Sequence, residues 1–244
     1  MTDLSLDNPE KWSSDRRIKF VSRLFGRIAP HYDLLNHLLS GGQDYYWRRR
    51  VAGRIPQHAE YILDAACGTG DLALLIHKKI PRAEIIALDF TSEMVAAARN
   101  KTKHNTTGKL LLVPGDVLKL PFIDQVFDAV TIAFAMRNIP DRLLALQEMA
   151  RVVKPGGKLL ILEMTFPRSL RLRIFFYWYL NWVIPFLGGL ISRDREAYKY
   201  LSASIQSFLS PEAMCELMRS AGLQSTKAFS LSGGICWLFE GIKE

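Results

Sequence analysis

The sequence predicts an α/β chain: helices first, then a mostly parallel sheet covered on both faces, then a C-terminal antiparallel hairpin. Three observations carry this. Apolar runs over 61–66, 84–89, 110–114, 127–134 and 158–164 alternate with helical patterns near 70–79, 92–103 and 141–152, the order that parallel βα units give. A glycine-rich turn, Cys67-Gly68-Thr69-Gly70, follows the first run directly. Two further short runs, near 225–230 and 235–240, flank Gly233-Gly234, as in a hairpin.

Residues 1–15 are polar and are expected to be poorly ordered. In 16–55, Ile18, Val21, Leu24, Phe25 and Ile28 recur near helical spacing, Pro30 interrupts, and Asp33 to Leu39 resumes the pattern until Gly41-Gly42. Residues 1–55 are therefore expected to form a helical lid on a domain spanning 56–244. Lys154-Pro155-Gly156-Gly157-Lys158 reads as a turn into the fifth strand. Residues 167–200 break the alternation and form an expected helical insertion. Ile174 to Leu187 is nearly all apolar and opens with Phe175-Phe176-Tyr177-Trp178-Tyr179. Asn181, Pro185 and Gly188-Gly189 interrupt it, leaving it too short for a membrane span. Two readings stay open: a buried packing helix, or a helix over a site mouth that touches a bilayer. Ser210-Pro211-Glu212 starts a helix near 210–221, with a serine N-cap and proline at the first helical position.

An apolar content of 49% is ample for a packed core. A net charge of +8 favours an anionic partner: nucleic acid, a phospholipid surface or an acidic substrate. Part of it is clustered at Arg16, Arg17, Lys19, Arg23, Arg27 and Arg48-Arg49-Arg50, which solvated helix faces also explain. Cys67, Cys215 and Cys236 lie far apart with no C-x-x-C spacing. That argues against a disulfide framework or zinc site and fits a reducing compartment. The N-terminus shows no basic start followed by an apolar run, so a cytoplasmic protein without a signal peptide is expected. His31, His37, His58, His77 and His104 show no metal-ligand spacing, and no metal is expected. No G-x-S-x-G suggests a hydrolase.

Ligands in such sheets bind beyond the carboxyl ends of the strands. Asp64 to Gly70, Asp89, Asp116 and Ala133 to Asn138 would share that rim. The glycines let a backbone approach a ligand closely. Asp89, twenty residues after Thr69 and ending the second strand, can accept hydrogen bonds from ribose hydroxyls. An adenosine-containing cofactor follows, although the turn also satisfies the loose dinucleotide pattern.

The combination of Leu63-Asp64-Ala65-Ala66-Cys67-Gly68-Thr69-Gly70, Leu88-Asp89, Gly115-Asp116, Leu120-Pro121-Phe122, Phe127-Asp128 and Val153-Lys154-Pro155-Gly156-Gly157 resembles the S-adenosylmethionine-dependent methyltransferases of the Rossmann-like class I fold. The resemblance implies a seven-stranded sheet, with Asp64, Gly68, Thr69, Gly70, Asp89, Asp116 and Val117 holding S-adenosyl-L-methionine. Asp89 would take the ribose and Asp116 would lie near the adenine amine, with Phe90, Val117 and Leu118 as walls. Phe25 to Asn36, Trp47-Arg48, Thr131 to Asn138, Tyr198-Lys199-Tyr200-Leu201, Ser204-Ile205 and Gly233-Gly234-Ile235 further resemble the menaquinone and ubiquinone C-methyltransferases.

This second resemblance implies C-methylation of a polyprenylated quinol, with demethylmenaquinol as the expected acceptor. A benzoquinol of ubiquinone synthesis is the alternative, and an RNA methyltransferase a more distant one. No nucleic-acid partner is expected. A homodimer and a peripheral contact at the inner face of the membrane stay open. Arg137, Asn138 and Tyr32 are the catalytic candidates, with Asp33 orienting Tyr32. Their structural alternatives are Arg137 paired with a surface acid, Asn138 capping the next helix and Tyr32 packing the lid. Departures from the family pattern occur at Ala133, Ala135, Met136, Gln43-Asp44-Tyr45, Trp237 and Phe239. They bear on the identity of the quinol more than on the chemistry.

Overall fold

A computed structural model of the protein describes residues 9–103, 109–186 and 194–244. Residues 1–8, His104 and Gly188-Gly189 lie outside the described residues. The expected parallel sheet is present, with seven strands: β1 (Tyr61–Ala65), β2 (Glu84–Asp89), β3 (Leu110–Pro114), β4 (Phe127–Ala133), β5 (Val153–Met164), β6 (Leu223–Leu231) and β7 (Cys236–Lys243). Their order is β3-β2-β1-β4-β5-β7-β6. The first five pair in parallel, and β7 runs antiparallel to both β5 and β6. The predicted hairpin is thus folded in, with its second strand lying between β5 and its first.

Alternation along the strands explains why both faces are covered. Ile62, Ala87, Leu160, Leu162 and Leu238 face one layer. It includes α3 (Gln43–Ala52) and α4 (Asp71–Lys79). Leu63, Leu88, Leu159, Ile161 and Phe239 face the other, with α6 (Arg142–Val152) and α9 (Pro211–Ser220). Between them in sequence come α5 (Ser92–Thr102), α7 (Leu170–Trp178) and α8 (Arg195–Gln206).

Before the sheet come α1 (Ser14–Ile28) and α2 (Tyr32–Leu39). They share a third apolar cluster with α8 and the segment after α7, through Leu24, Ile28, Leu35, Leu39, Phe176, Leu180, Ile184 and Ile205. Residues 9–15, expected to be poorly ordered, instead form a turn over Pro9–Lys11 and the start of α1. Trp12 anchors them by stacking edge-on against Phe20 at 5.0 Å, and Ser13 accepts a cap bond from the Arg16 N–H. β5 starts earlier than predicted, because Val153, ahead of the glycine turn, already pairs with Phe127; the turn forms a bulge before Lys158 pairs with Ala129.

Gly115, after β3, is required by packing. A Cβ there would sit 2.6 Å from Leu88 Cδ1, and Leu88 is fully buried. Gly115→Ala is expected to lower stability by roughly 1–3 kcal/mol, read as a lower urea midpoint with an unchanged slope.

Candidate functional site

The carboxyl ends of β1 to β4 open into a cleft of about 870 Å³, its mouth included. Asp89, Asp116, Phe90, Val117, Leu118 and Asn138 all line it. Two residues on its floor, Ala66 and Phe134, hold left-handed backbone at φ 51° and 58° without being glycine. Strain of this kind persists where surroundings fix it, commonly at ligand sites. Gly68 (φ 56°) shares that conformation for the same turn.

Asp89 is the hub of the cleft. Its Oδ2 accepts the Gly68 N–H at 2.8 Å and its Oδ1 accepts the Thr91 N–H at 2.8 Å. One carboxylate thus fixes the glycine turn and the start of α5, with lone pairs remaining on each oxygen. Burial pushes its pKa up, against these hydrogen bonds. Asp116 Oδ1 accepts the Leu118 N–H at 2.9 Å, shaping the turn beside it.

Asp64 is buried beneath. Its Oδ1 accepts the Thr131 hydroxyl at 2.7 Å, while Oδ2 has no hydrogen-bond partner. Asp64 lines a smaller cavity with Arg48, Cys67 and Tyr32. Burial pushes its carboxyl up to about 7, against Thr131 and the charge of Arg48. The remaining loop candidates do different work. Thr69 lines the same cavity, but its hydroxyl donates to Asp33 Oδ1 and accepts from Lys101 Nζ. Gly70 (φ 82°) is the N-cap of α4 and lines none of these cavities.

Asp33 does not orient Tyr32. It binds Thr69 and the Lys101 ammonium, the latter at 2.5 Å. His37, Asp44 and Asp71 gather nearby, their ligand atoms within 4.8 Å. Arg48 and Lys101 pair with the same carboxylates, so the group is an ion-pair clasp joining α2, α3, α4 and α5.

The catalytic candidates come together. Tyr32 borders the main cleft and each of three smaller cavities. One of these, about 490 Å³, is lined by Tyr32, Arg137, Asn138 and Tyr200 among apolar side chains such as Phe25 and Leu35. Asn138 joins it to the main cleft. Asn138 does not cap the next helix; Asp141 does. Its Oδ1 instead accepts the Tyr200 hydroxyl at 3.2 Å and its amide donates to the Phe134 carbonyl at 3.5 Å, which leaves one amide hydrogen to donate. Burial raises the Tyr32 pKa, while Arg137 and Asn36 pull it down.

Arg137 pairs not with a surface acid but with fully buried Glu163, at 2.5 Å. Burial opposes the guanidinium charge, but Glu163, Tyr32 and Tyr200 together outweigh it and the pKa is raised. The sequence does not single out Glu163, and Arg48 enters only through a charge cluster and the Trp47-Arg48 motif, without a place in the site. An acid closing the apolar run Leu159 to Leu162 was the available signal, because a buried carboxylate requires a partner.

An adenosine-bearing sulfonium donor needs an acceptor for a ribose diol, an acceptor for an adenine amine, apolar walls and an anion for its ammonium. Asp89, Asp116, the Phe90–Val117–Leu118 wall and the orphan Asp64 Oδ2 can supply these in turn, so the residues fit such a group.

This fold and site define a methyltransferase of the Rossmann-like class. A solved SAM-dependent methyltransferase of Thermotoga maritima superposes with a TM-score of 0.63 over 91% of this chain and 99% of that one, at 20% identity. A model of the ubiE/COQ5 methyltransferase family matches residues 11–243, and the chain belongs to that family. A demethylmenaquinone methyltransferase of Thermotoga maritima is 44% identical over 209 residues, 84% of this chain and 89% of the relative. One of Thermus thermophilus is 46% identical over 82% of this chain and 90% of the relative. A ubiquinone/menaquinone biosynthesis C-methyltransferase UbiE of Geobacter is 40% identical over 91% and 96%.

Proposed function

We propose that the chain methylates a ring carbon of a polyprenylated naphthoquinol, with S-adenosylmethionine as donor. The observation that carries the reading is the cavity holding Arg137, Asn138 and Tyr32 beside the Asp89 cleft, in a chain 44 and 46% identical to relatives named demethylmenaquinone methyltransferase. Bound S-adenosylmethionine supplies an electrophilic methyl group. Asp64, Asp89 and Asp116 hold the donor, with Val117 as wall and Gly68, Thr69 and Gly70 shaping the turn beneath it. Within the N-terminal segment, α1 and α2 act as the lid.

A quinol carbon becomes a strong nucleophile when a ring hydroxyl loses its proton to a water; the methyl group would leave its bonding pair on sulfur, and the proton on the methylated carbon is then lost to water, which restores the ring. Arg137 is permanently charged and cannot serve as a base. It stabilises the developing ring oxyanion. Asn138 donates to a ring oxygen. Tyr32 closes the site between cofactor and ring. The test is methyl transfer to reduced demethylmenaquinone against its benzoquinol counterpart, with product mass and methylation site read out. Turnover of the benzoquinol alone, or of neither, rejects the reading.

Asp64 makes donor binding pH-dependent. Its folded pKa lies above the ordinary carboxylate value, so its stabilising share is full below about pH 4 and is lost as pH rises through about 7. An ammonium beside Oδ2 favours the ionised form. S-adenosylhomocysteine is therefore expected to bind about tenfold tighter at pH 8 than at pH 6, with proton release seen by calorimetry in two buffers. Asp64→Asn is expected to flatten that dependence.

The segment after β5 meets the membrane. No helix among the described residues is long and apolar enough to cross a bilayer. Along α7 and the following turns, Phe176, Leu180 and Ile184 point inward, while Leu170, Ile174, Phe175, Trp178, Trp182 and Phe186 are exposed, Leu170 by 71%. Arg171 and Arg173 are exposed beside them. Aromatic side chains with flanking cations suit an anionic phospholipid surface, where a prenylated substrate resides. Phe175→Ser with Trp178→Ser and Trp182→Ser is expected to weaken flotation with phosphatidylglycerol vesicles by about tenfold or more. A concentration-dependent dimer that ignores vesicles would assign this face to a second copy instead.

A further inference from the structure

We propose that Glu163 is a positioning residue that holds Arg137 as a fixed cation toward the cavity it shares with Tyr32 and Asn138; this rests on the methyl-transfer reading above. Glu163, the last residue but one of β5, has 0% exposure and lines none of the cavities described. It grips Arg137 twice: Oε1 accepts from the guanidinium at 2.5 Å, and Oε2 accepts the Arg137 backbone N–H at 3.1 Å. Oε1 also accepts the Met164 N–H at 2.9 Å. The Phe134 carbonyl takes the same guanidinium nitrogen at 2.7 Å.

Head and backbone of Arg137 are therefore locked, and its Nε, which lacks a hydrogen-bond partner, is held among the buried groups of the site. A buried ion pair adds little net stability compared with apolar side chains of the same size. Its worth here is geometric. Glu163 already carries three hydrogen bonds and is shut off from the cavity, so it does not touch substrate. With the Asn138 carbonyl occupied by Tyr200 and one amide hydrogen turned to the Phe134 carbonyl, Asn138 keeps one N–H to donate beside the Arg137 guanidinium. The cavity is built to receive a ring oxyanion.

The groups facing this pair are Tyr32 from α2, Asp44 and Arg48 from α3, Tyr200 from α8 and Cys236 from β7. The experiment compares the wild type with Glu163→Gln, Glu163→Asp, Arg137→Met and the double variant Glu163→Gln with Arg137→Met. Turnover is counted per site that binds S-adenosylhomocysteine, so misfolded chains drop out. Glu163→Gln is expected to lower kcat about 10²-fold and to move the acid limb of the kcat profile up by about one pH unit, because the bound quinol ionises less readily. Glu163→Asp is expected to restore part of both.

Adding Glu163→Gln to Arg137→Met is expected to cost no more than twofold further, because the first acts through the second. An unmoved acid limb with kcat within threefold overturns the proposal, as do losses that multiply in the double variant. If Glu163→Gln does not fold, the limb of Glu163→Asp decides: a shift supports the proposal and no shift overturns it. A wild type that methylates no quinol sinks the parent reading and this inference together. An active wild type with an insensitive Glu163 sinks the inference alone.

Discussion

Arg137→Ala is expected to slow methyl transfer by about 10³-fold while S-adenosylhomocysteine affinity stays within twofold. The separation follows from the cavities. Arg137 borders the space shared with Tyr32 and Tyr200, not the cleft that holds Asp89 and Asp116. Its loss therefore removes charge from the acceptor side and leaves the donor side intact. It also strands Glu163 without its partner, at a cost of about 3–5 kcal/mol. Rates must accordingly be taken per chain that still binds S-adenosylhomocysteine. A variant that keeps full turnover would remove Arg137 from the chemistry.

Asp89→Ala is expected to fail earlier, at binding. Hydrogen bonds from a ribose diol to a charged acceptor contribute about 1.5–3 kcal/mol each, so losing two weakens S-adenosylhomocysteine binding by roughly 10²–10⁴-fold. The N–H groups of Gly68 and Thr91, both held by this carboxylate, would also lose their acceptor. Calorimetry reads the affinity and thermal unfolding reads the cap. Wild-type affinity in the variant would show that Asp89 serves only the turn. With Arg137 the deficit lies in kcat; with Asp89 it lies in donor affinity.

Much of this was legible in the sequence, for a physical reason. β1 and β2 announce themselves by apolar runs, and the glycine turn by residues that tolerate left-handed backbone. The acid at the end of β2 follows at a fixed distance because one βα unit separates them. Arg137, Asn138 and Tyr32 rested on family resemblance, and the structure brings them to one cavity. What could not be read were the partners. Arg137 meets Glu163, 26 residues away; Asp33 meets Thr69, 36 residues away; and Tyr200 meets Asn138, 62 residues away. Such pairings depend on how layers stack, which local periodicity does not encode. Thr69 illustrates the limit: its place in the glycine motif suggested the ligand, yet its hydroxyl ties the loop to α2.

The strand reversal at one side of the sheet has a consequence for how the chain is made. A ribosome that has polymerised everything up to Gly234 has not yet delivered β7, the piece seated between β5 and β6. Until those residues emerge, β5 keeps a bare flank and β6, although it packs on α9, lacks its pairing partner. Closure of this side of the sheet therefore waits for the segment after Gly234, and until then the unpaired flank of β5 is the surface open to wrong pairing.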